Sequence, residues 1–123
     1  MFGKRKKEKT DPFGRKKPTK PPRDTDSVEY RLWMADKLDE HSLRYVLERS
    51  EDGVEHVIGR DGVLSNFEGN FSVICGEKTV FRTVSSELHA WEFLSLEGAM
   101  LTGFDQIAGR ERTVLVYYKY WNG

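Results

Sequence analysis

Nucleophilic chemistry in this chain would most naturally use its single cysteine. Cys75 closes a predicted strand beside Gly76. A reactive thiolate needs a partner base and an electropositive setting, and the sequence contains no Cys–His signature. Cysteine is also among the most buried residue types. The sequence therefore favours a structural thiol at this position.

The three histidines could in principle bind a metal ion. His41, His56 and His89 fall in a predicted helix end, a strand and a short helix. No two of them have the spacing of helical or knuckle zinc ligands, and the HExxH motif is absent. A lone cysteine also cannot supply a disulfide or a two-cysteine zinc site. We therefore expect no metal and no cofactor, and three partly exposed histidines.

Carboxylates are numerous, but their positions indicate turns and helix ends, where acidic side chains cap or solubilise. An acid–base pair needs a shared cleft and shifted pKa values, and the spacing indicates neither. The phosphate-binding motifs GxGxxG and GxxxxGK[ST] are absent. We expect no catalytic residue among the carboxylates considered: Asp36, Asp39, Glu40, Glu51, Asp52, Asp61, Glu87, Glu92, Glu97, Asp105 and Glu111.

Positive charge is concentrated at the N-terminus. Residues 1–23 contain ten Lys and Arg against two acidic residues, a net charge of +8, whereas residues 24–123 contain ten against eighteen, a net charge of −8. Such asymmetry predicts a basic arm that meets an anionic partner. The candidate polyanion-binding residues are Lys4, Arg5, Lys6, Lys7, Lys9, Arg15, Lys16, Lys17, Lys20 and Arg23.

Three functions are consistent with this basic arm. The alternative to all three is a charged segment that is only solvated. Lys and Arg clusters bind nucleic acid by counterion release, and Phe2 or Phe13 could stack on an unpaired base. The same composition suits an anionic membrane surface. The arm could also fold onto its own acidic domain. We take RNA or the ribosome as the preferred partner, and a protein or a membrane surface as the alternatives.

The arm is predicted to be disordered over residues 1–26, which hold all four prolines and only three large apolar side chains. This composition cannot bury enough surface to offset the entropy of ordering. The remaining residues, 27–123, form one small domain.

The aromatic run YYKYW at 117–121 is the most suggestive part of that domain. Aromatic side chains are enriched at interfaces and can stack on bases, although alternate members of a strand also fill the core. Since strand neighbours point to opposite faces, Tyr118 with Tyr120, or Tyr117 with Trp121, would form the contact pair beside Lys119.

The elements that must position these residues follow from the periodicity. Asp26 and Glu29 favour a helix start, and apolar residues at helical spacing predict a helix over 27–40. A second short helix is expected over 85–96. Turn signals at EDG, GRDG, EGN and GEK separate short alternating segments. The predicted strands cover 42–50, 54–58, 63–67, 71–75, 79–83, 98–104 and 112–121.

These elements indicate a mainly β (α+β) fold, in which an antiparallel meander of about seven strands forms a bent sheet or small barrel with one or two short helices. No run of about 18 apolar residues is present, and the lone cysteine suits a reducing compartment, so we expect a cytoplasmic protein. The expected function is a small non-enzymatic binding or adaptor protein. The alternatives are a protein-interaction or membrane-surface module with the tail as a tether, and an enzyme with a composite site.

Overall fold

The computed structural model describes residues 20–119, so the predictions for residues 1–19 and 120–123 lie outside its range. Residues 20–27 form bends and turns, and regular structure begins with a helix. The elements are α1 (Val28–Leu38), β1 (Ser42–Arg49), β2 (Glu55–Phe67), β3 (Asn70–Cys75), β4 (Lys78–Val84), a 3-10 turn (Ser85–Glu87), β5 (His89–Glu92), β6 (Gly98–Asp105) and β7 (Arg110–Tyr118).

Within the described residues, all seven strands belong to one antiparallel sheet in the order β4-β3-β2-β1-β7-β6-β5. The sheet is unclosed but strongly bent, because its two ends approach each other. The backbone N–H of Gln106, just after β6, donates to the carbonyl oxygen of Arg82 in β4 at 2.7 Å. The prediction of a mainly β fold with a bent antiparallel sheet is confirmed.

The helix covers one end of the bent sheet, and it begins one residue later than predicted, because Ser27 and not Asp26 is its N-cap. The side chain of Ser27 accepts a hydrogen bond from the backbone N–H of Tyr30 at 3.1 Å, which caps the first turn. Such a cap contributes about 1 kcal/mol. Met34, Ala35 and Leu38 are buried on the inner side of α1 and join the core cluster.

The predicted turn at GRDG is wrong, because residues 59–62 lie inside the long strand β2. Gly59 and Gly62 face Cys75 of β3, and a Cβ atom on either would lie 2.5 Å or 2.8 Å from Cys75 Sγ. The two glycines therefore permit close packing of the thiol. Asp61 between them has a φ of 54°, which marks an irregularity in the strand.

The second predicted helix is also wrong over most of its length. Only residues 85–87 form a helical turn, and residues 89–92 form strand β5. The segment obeys a period of two, since Leu88 and Ala90 are buried while Trp91 is exposed. The count of seven strands survives because two predicted strands merge into β2 and β5 is added.

Candidate binding face of the sheet

The two faces of the sheet have different environments. Along β7, Val114 and Val116 point into the core, and Leu115 and Tyr117 point to the opposite, outer face. Paired residues in an antiparallel sheet share a face, so the register identifies the outward residues of neighbouring strands. This outer face lies opposite the core that α1 covers.

A continuous apolar row crosses five strands on the outer face. Trp91 pairs with Met100, Met100 with Leu115, Leu115 with Leu47, and Leu47 with Val57. The row runs from β5 through β6, β7 and β1 to β2. We call these five residues the outer stripe.

The outer stripe exposes its ends and buries its centre. Leu115 is only 3% exposed because its neighbours in the stripe flank it, whereas Trp91 is 53% and Val57 49% exposed. A contiguous apolar surface of this kind is typical of binding sites. Tryptophan and methionine are also among the residues that interfaces enrich.

An aromatic row runs beside the outer stripe. The rings of Tyr45 and Tyr117 lie 4.8 Å apart, and those of Phe93 and Tyr117 lie 5.2 Å apart. The guanidinium of Arg44 lies 5.5 Å from the Tyr45 ring. Burial in this cluster, with the nearby Glu55 carboxylate, raises the pKa of Tyr117. Tyr117 therefore stays protonated, and the row enlarges the apolar surface.

Polar residues border the outer stripe on its other side. The rings of His89 and Trp91 stack at 6.3 Å. At the far end, Arg49 pairs with Glu55 at 2.9 Å, and both side chains are partly exposed. An apolar centre with a polar rim is the usual anatomy of a protein–protein interface.

The inner face carries an ionic cluster centred on Arg112. Its guanidinium donates two hydrogen bonds to Glu48, at 2.9 Å and 2.7 Å. It also donates to Asp105 at 2.6 Å and to the carbonyl oxygen of Val80 at 3.0 Å. This one side chain thus links β7 with β1, β4 and the end of β6.

Electrostatics keep both carboxylates of the cluster ionised. Hydrogen bonds from Arg112 lower the pKa of Glu48. Burial opposes ionisation of Asp105, but hydrogen bonds from the Arg82 backbone N–H, Arg112 and the Ile107 backbone N–H outweigh it and lower its pKa. Because Arg112 is only 10% exposed at its side chain, the cluster joins strands and offers little surface to a ligand.

Of the predicted aromatic contacts, Tyr117 and Tyr118 are described, and they lie on opposite faces of the sheet. Tyr117 lies in the outer aromatic row, but Tyr118 is buried, and its hydroxyl donates to Glu92 at 3.0 Å. Tyr118 is therefore not available at the surface. Lys119 is exposed and lies 3.8 Å from Asp61. Tyr120 and Trp121 lie outside the described residues.

Of the ten predicted polyanion-binding residues, Lys20 and Arg23 are described, and both are exposed. The other eight lie outside the described range: Lys4, Arg5, Lys6, Lys7, Lys9, Arg15, Lys16 and Lys17.

Cys75 packs against the core cluster as a partly buried residue. Burial, and secondarily the Asp61 carboxylate, raises the pKa of the thiol, which disfavours the thiolate. The thiol stays protonated at neutral pH, in keeping with the structural role that its sequence context favours.

The histidines lie on separate elements. His41 contacts the Leu38 carbonyl oxygen at 3.1 Å, and its ring packs at a tilt against that of Tyr118; His56 is exposed on β2, and His89 lies on β5. Between residues 20 and 119, no three His, Cys, Asp or Glu side chains are grouped to hold a metal ion.

The sequence patterns do not predict most of the outer stripe. They place Leu47 and Val57 in strands without indicating a face, and they place Trp91 in a helix. The alternation of Leu88, His89, Ala90 and Trp91 was the signal that could have placed Trp91 on the outer face.

In the part of the chain that the structure describes, no helix has the length and apolar character needed to cross a membrane. Comparison with protein-family models, curated proteins and solved structures finds no match to this chain. Its fold and outer face are therefore the basis for a functional proposal.

Proposed function

We propose that this protein is a small, non-enzymatic binding protein of the cytoplasm that acts as an adaptor. Its outer sheet face binds a protein, and its basic N-terminal residues bind a polyanion, with RNA as the preferred one. The observation that carries the proposal is the outer stripe, an apolar row with exposed ends that crosses five strands.

Exposure of the stripe ends supports a protein contact. Trp91 is about half exposed, and Trp is among the residues that dominate binding energy when an interface covers them. Covering an aromatic side chain of 150–250 Å² (about 200 Å²) at about 25 cal/mol per Å² contributes roughly 2–3 kcal/mol for the exposed half. The polar rim of His89, Arg49 and Glu55 supplies hydrogen-bonding groups that fix orientation.

Charge supports a separate polyanion contact. Residues 24–123 carry a net charge of −8 and would repel phosphates, whereas residues 1–23 carry +8. Phosphate binding by this chain is therefore expected to run through the N-terminal Lys and Arg residues. For a single-stranded nucleic acid, the logarithm of the binding constant falls linearly with the logarithm of the salt concentration, with a slope of about −0.7 for each phosphate that is neutralised.

The test is an anisotropy titration of a fluorescent single-stranded RNA with the full-length chain. If about five phosphates are contacted, a slope of about −3.5 predicts a roughly hundredfold loss of affinity between 50 and 200 mM salt. Replacing the ten basic residues of 1–23 with glutamine should abolish both the binding and the slope. A matched control, in which only the lysines among them become arginine, should bind as tightly as the unmodified chain.

Two results would overturn the RNA assignment. One is unchanged binding by the glutamine variant. The other is the absence of RNA binding together with binding to vesicles of anionic lipid, which would favour the membrane-surface alternative.

A further inference from the structure

We infer that the protein partner of the outer face contributes an acidic segment with apolar side chains, and that Arg44 and Arg60 bind its carboxylates. The inference rests on the proposed function, because it states the chemistry of the protein that this face binds. It follows from the position of these two arginines, which flank a tyrosine of the aromatic row and have no carboxylate partner among residues 20–119.

Both arginines lie beside Tyr45 on the outer side of the sheet. Tyr45 pairs with Tyr117 on β7 and with Arg60 on β2, and paired residues in an antiparallel sheet share a face. Arg44 lies at the irregularity that separates Leu43 from Tyr45 in the pairing with β7. Its guanidinium lies 5.5 Å from the Tyr45 ring. Both arginines are exposed, so two cations flank one tyrosine at the surface.

Within residues 20–119, no carboxylate forms an ion pair with either of these arginines. Asp61 follows Arg60 in β2, but its carboxylate lies 3.8 Å from Lys119. Three other arginines of the sheet do pair with carboxylates, at 3.2 Å or less: Arg49, Arg110 and Arg112. Two positive charges therefore stay uncompensated on the outer face, although residues 24–123 carry a net charge of −8.

A segment that carries carboxylates next to apolar side chains matches this surface. The planar guanidinium group binds a carboxylate through two parallel hydrogen bonds. Contact with the Tyr45 ring restrains Arg44 before a partner arrives, which lowers the entropy cost of binding. The outer stripe and the aromatic row beside the arginines supply the apolar contact, and Arg, Tyr and Trp are the residues that dominate binding energy in interfaces.

The overall charge of the chain makes this preference testable, because it predicts the opposite one. When the ten basic residues of 1–23 are replaced by glutamine, the chain keeps ten Lys and Arg against twenty Asp and Glu, a net charge of −10. We call this variant the tail-neutral chain. Its overall field repels an acidic peptide. Binding of such a peptide therefore requires a local cationic site.

The experiment is an anisotropy titration of three fluorescently labelled synthetic peptides of equal length with the tail-neutral chain. The acidic apolar peptide repeats Glu-Glu-Tyr-Leu, the neutral peptide repeats Gln-Gln-Tyr-Leu, and the acidic polar peptide repeats Glu-Glu-Gly-Ser. The acidic apolar peptide should bind at least about tenfold more tightly than each of the other two, because it alone matches both the arginines and the apolar surface.

Substitutions in the tail-neutral chain assign the binding to the two arginines. Arg44→Gln and Arg60→Gln should each weaken binding of the acidic apolar peptide about threefold to tenfold, and the double variant should weaken it further. The double variant should bind the neutral peptide as before, because its apolar surface is intact. Arg110→Gln is the matched control, since it removes one charge from a side chain that is 62% exposed at the opposite end of β7 from Tyr117. It should leave the affinity unchanged.

The inference fails if the acidic apolar peptide binds no more tightly than the neutral peptide, or if Arg110→Gln weakens binding as much as Arg44→Gln and Arg60→Gln do. It also fails if single-stranded RNA binds the tail-neutral chain and the double variant loses that binding, because the arginines would then bind nucleic acid. The RNA titration of the unmodified chain reports on residues 1–23 separately. Absence of peptide binding with RNA binding intact therefore overturns this inference alone.

Discussion

Replacement of Arg112 is expected to destabilise the fold more than any exposed ionic substitution. In Arg112→Ala, Asp105, which is fully buried, and Glu48, whose side chain is 18% exposed, lose their shared cation. Removing one partner of a buried pair costs about 3–5 kcal/mol, because an uncompensated charge stays inside. The link from β7 to β4 through the Val80 carbonyl oxygen is lost as well.

The structure places the expected cost near the lower end of that range. Asp105 still accepts hydrogen bonds from the backbone N–H groups of Arg82, Ile107 and Ala108. Glu48 keeps Arg110, at 3.2 Å. We therefore expect a loss of about 3 kcal/mol, a large fraction of the 5–15 kcal/mol typical of a domain. Arg112→Lys keeps the charge but loses the planar guanidinium group, so its stability should lie between those of the unmodified chain and Arg112→Ala.

Urea denaturation at pH 7 measures this loss. With a slope of about 1–3 kcal/mol per molar urea, the midpoint of Arg112→Ala should fall by roughly 1–3 M. Arg49→Ala is the matched control, because its ion pair with Glu55 is partly exposed. Exposed pairs of this kind contribute about 0.2–1 kcal/mol.

The pH dependence has a definite sign. Glu48 and Asp105 have lowered pKa values in the folded state. Their stabilising contribution is present above the unfolded carboxyl pKa of about 4 and is lost as pH falls towards the folded values. The difference between the unmodified chain and Arg112→Ala should therefore shrink below about pH 4. The reasoning would be refuted if the urea midpoint of Arg112→Ala were no lower than that of Arg49→Ala. It would also be refuted if the stability difference between Arg112→Ala and the unmodified chain did not change with pH.

Two further substitutions test the packing inside the sheet, each by its urea midpoint. The Thr83 hydroxyl is buried and has no hydrogen-bond partner among the described residues, so Thr83→Val should stabilise the protein by about 1 kcal/mol; a lower midpoint would contradict this. A Cβ on Gly98 would collide with the Val116 carbonyl oxygen, so Gly98→Ala should cost about 3 kcal/mol. Gly53→Ala is the control, because the added Cβ meets open space at a φ of 86°, and it should cost only about 1 kcal/mol. Equal losses of stability in Gly98→Ala and Gly53→Ala would argue against the packing described around Gly98.

Alternation along the strands made much of the fold predictable. In the last strand, the pattern correctly separated Val114 and Val116 from Leu115 and Tyr117. Apolar residues on both faces also predicted an internal strand, and β7 lies between β1 and β6. The helix start was predictable to within one residue, because a cap depends on residues close in sequence, although the capping side chain is that of Ser27 and not of Asp26.

Features that depend on distant contacts were not predictable. Gly59 and Gly62 resembled turn residues, but they serve the approach of Cys75 from another strand. The outer stripe depends on the register of five strands, which local patterns do not specify. The pairing of Arg112 with Glu48 spans 64 positions, so its role could not be inferred from sequence spacing.

The division of binding between two surfaces is tested most directly by an NMR titration of isotope-labelled full-length protein with single-stranded RNA, at a protein concentration held constant. We predict RNA-induced amide shift changes within residues 1–23, with the amides of Trp91, Leu115 and Val57 unchanged by RNA. RNA-induced shifts centred on the outer stripe, with residues 1–23 unaffected, would contradict the account.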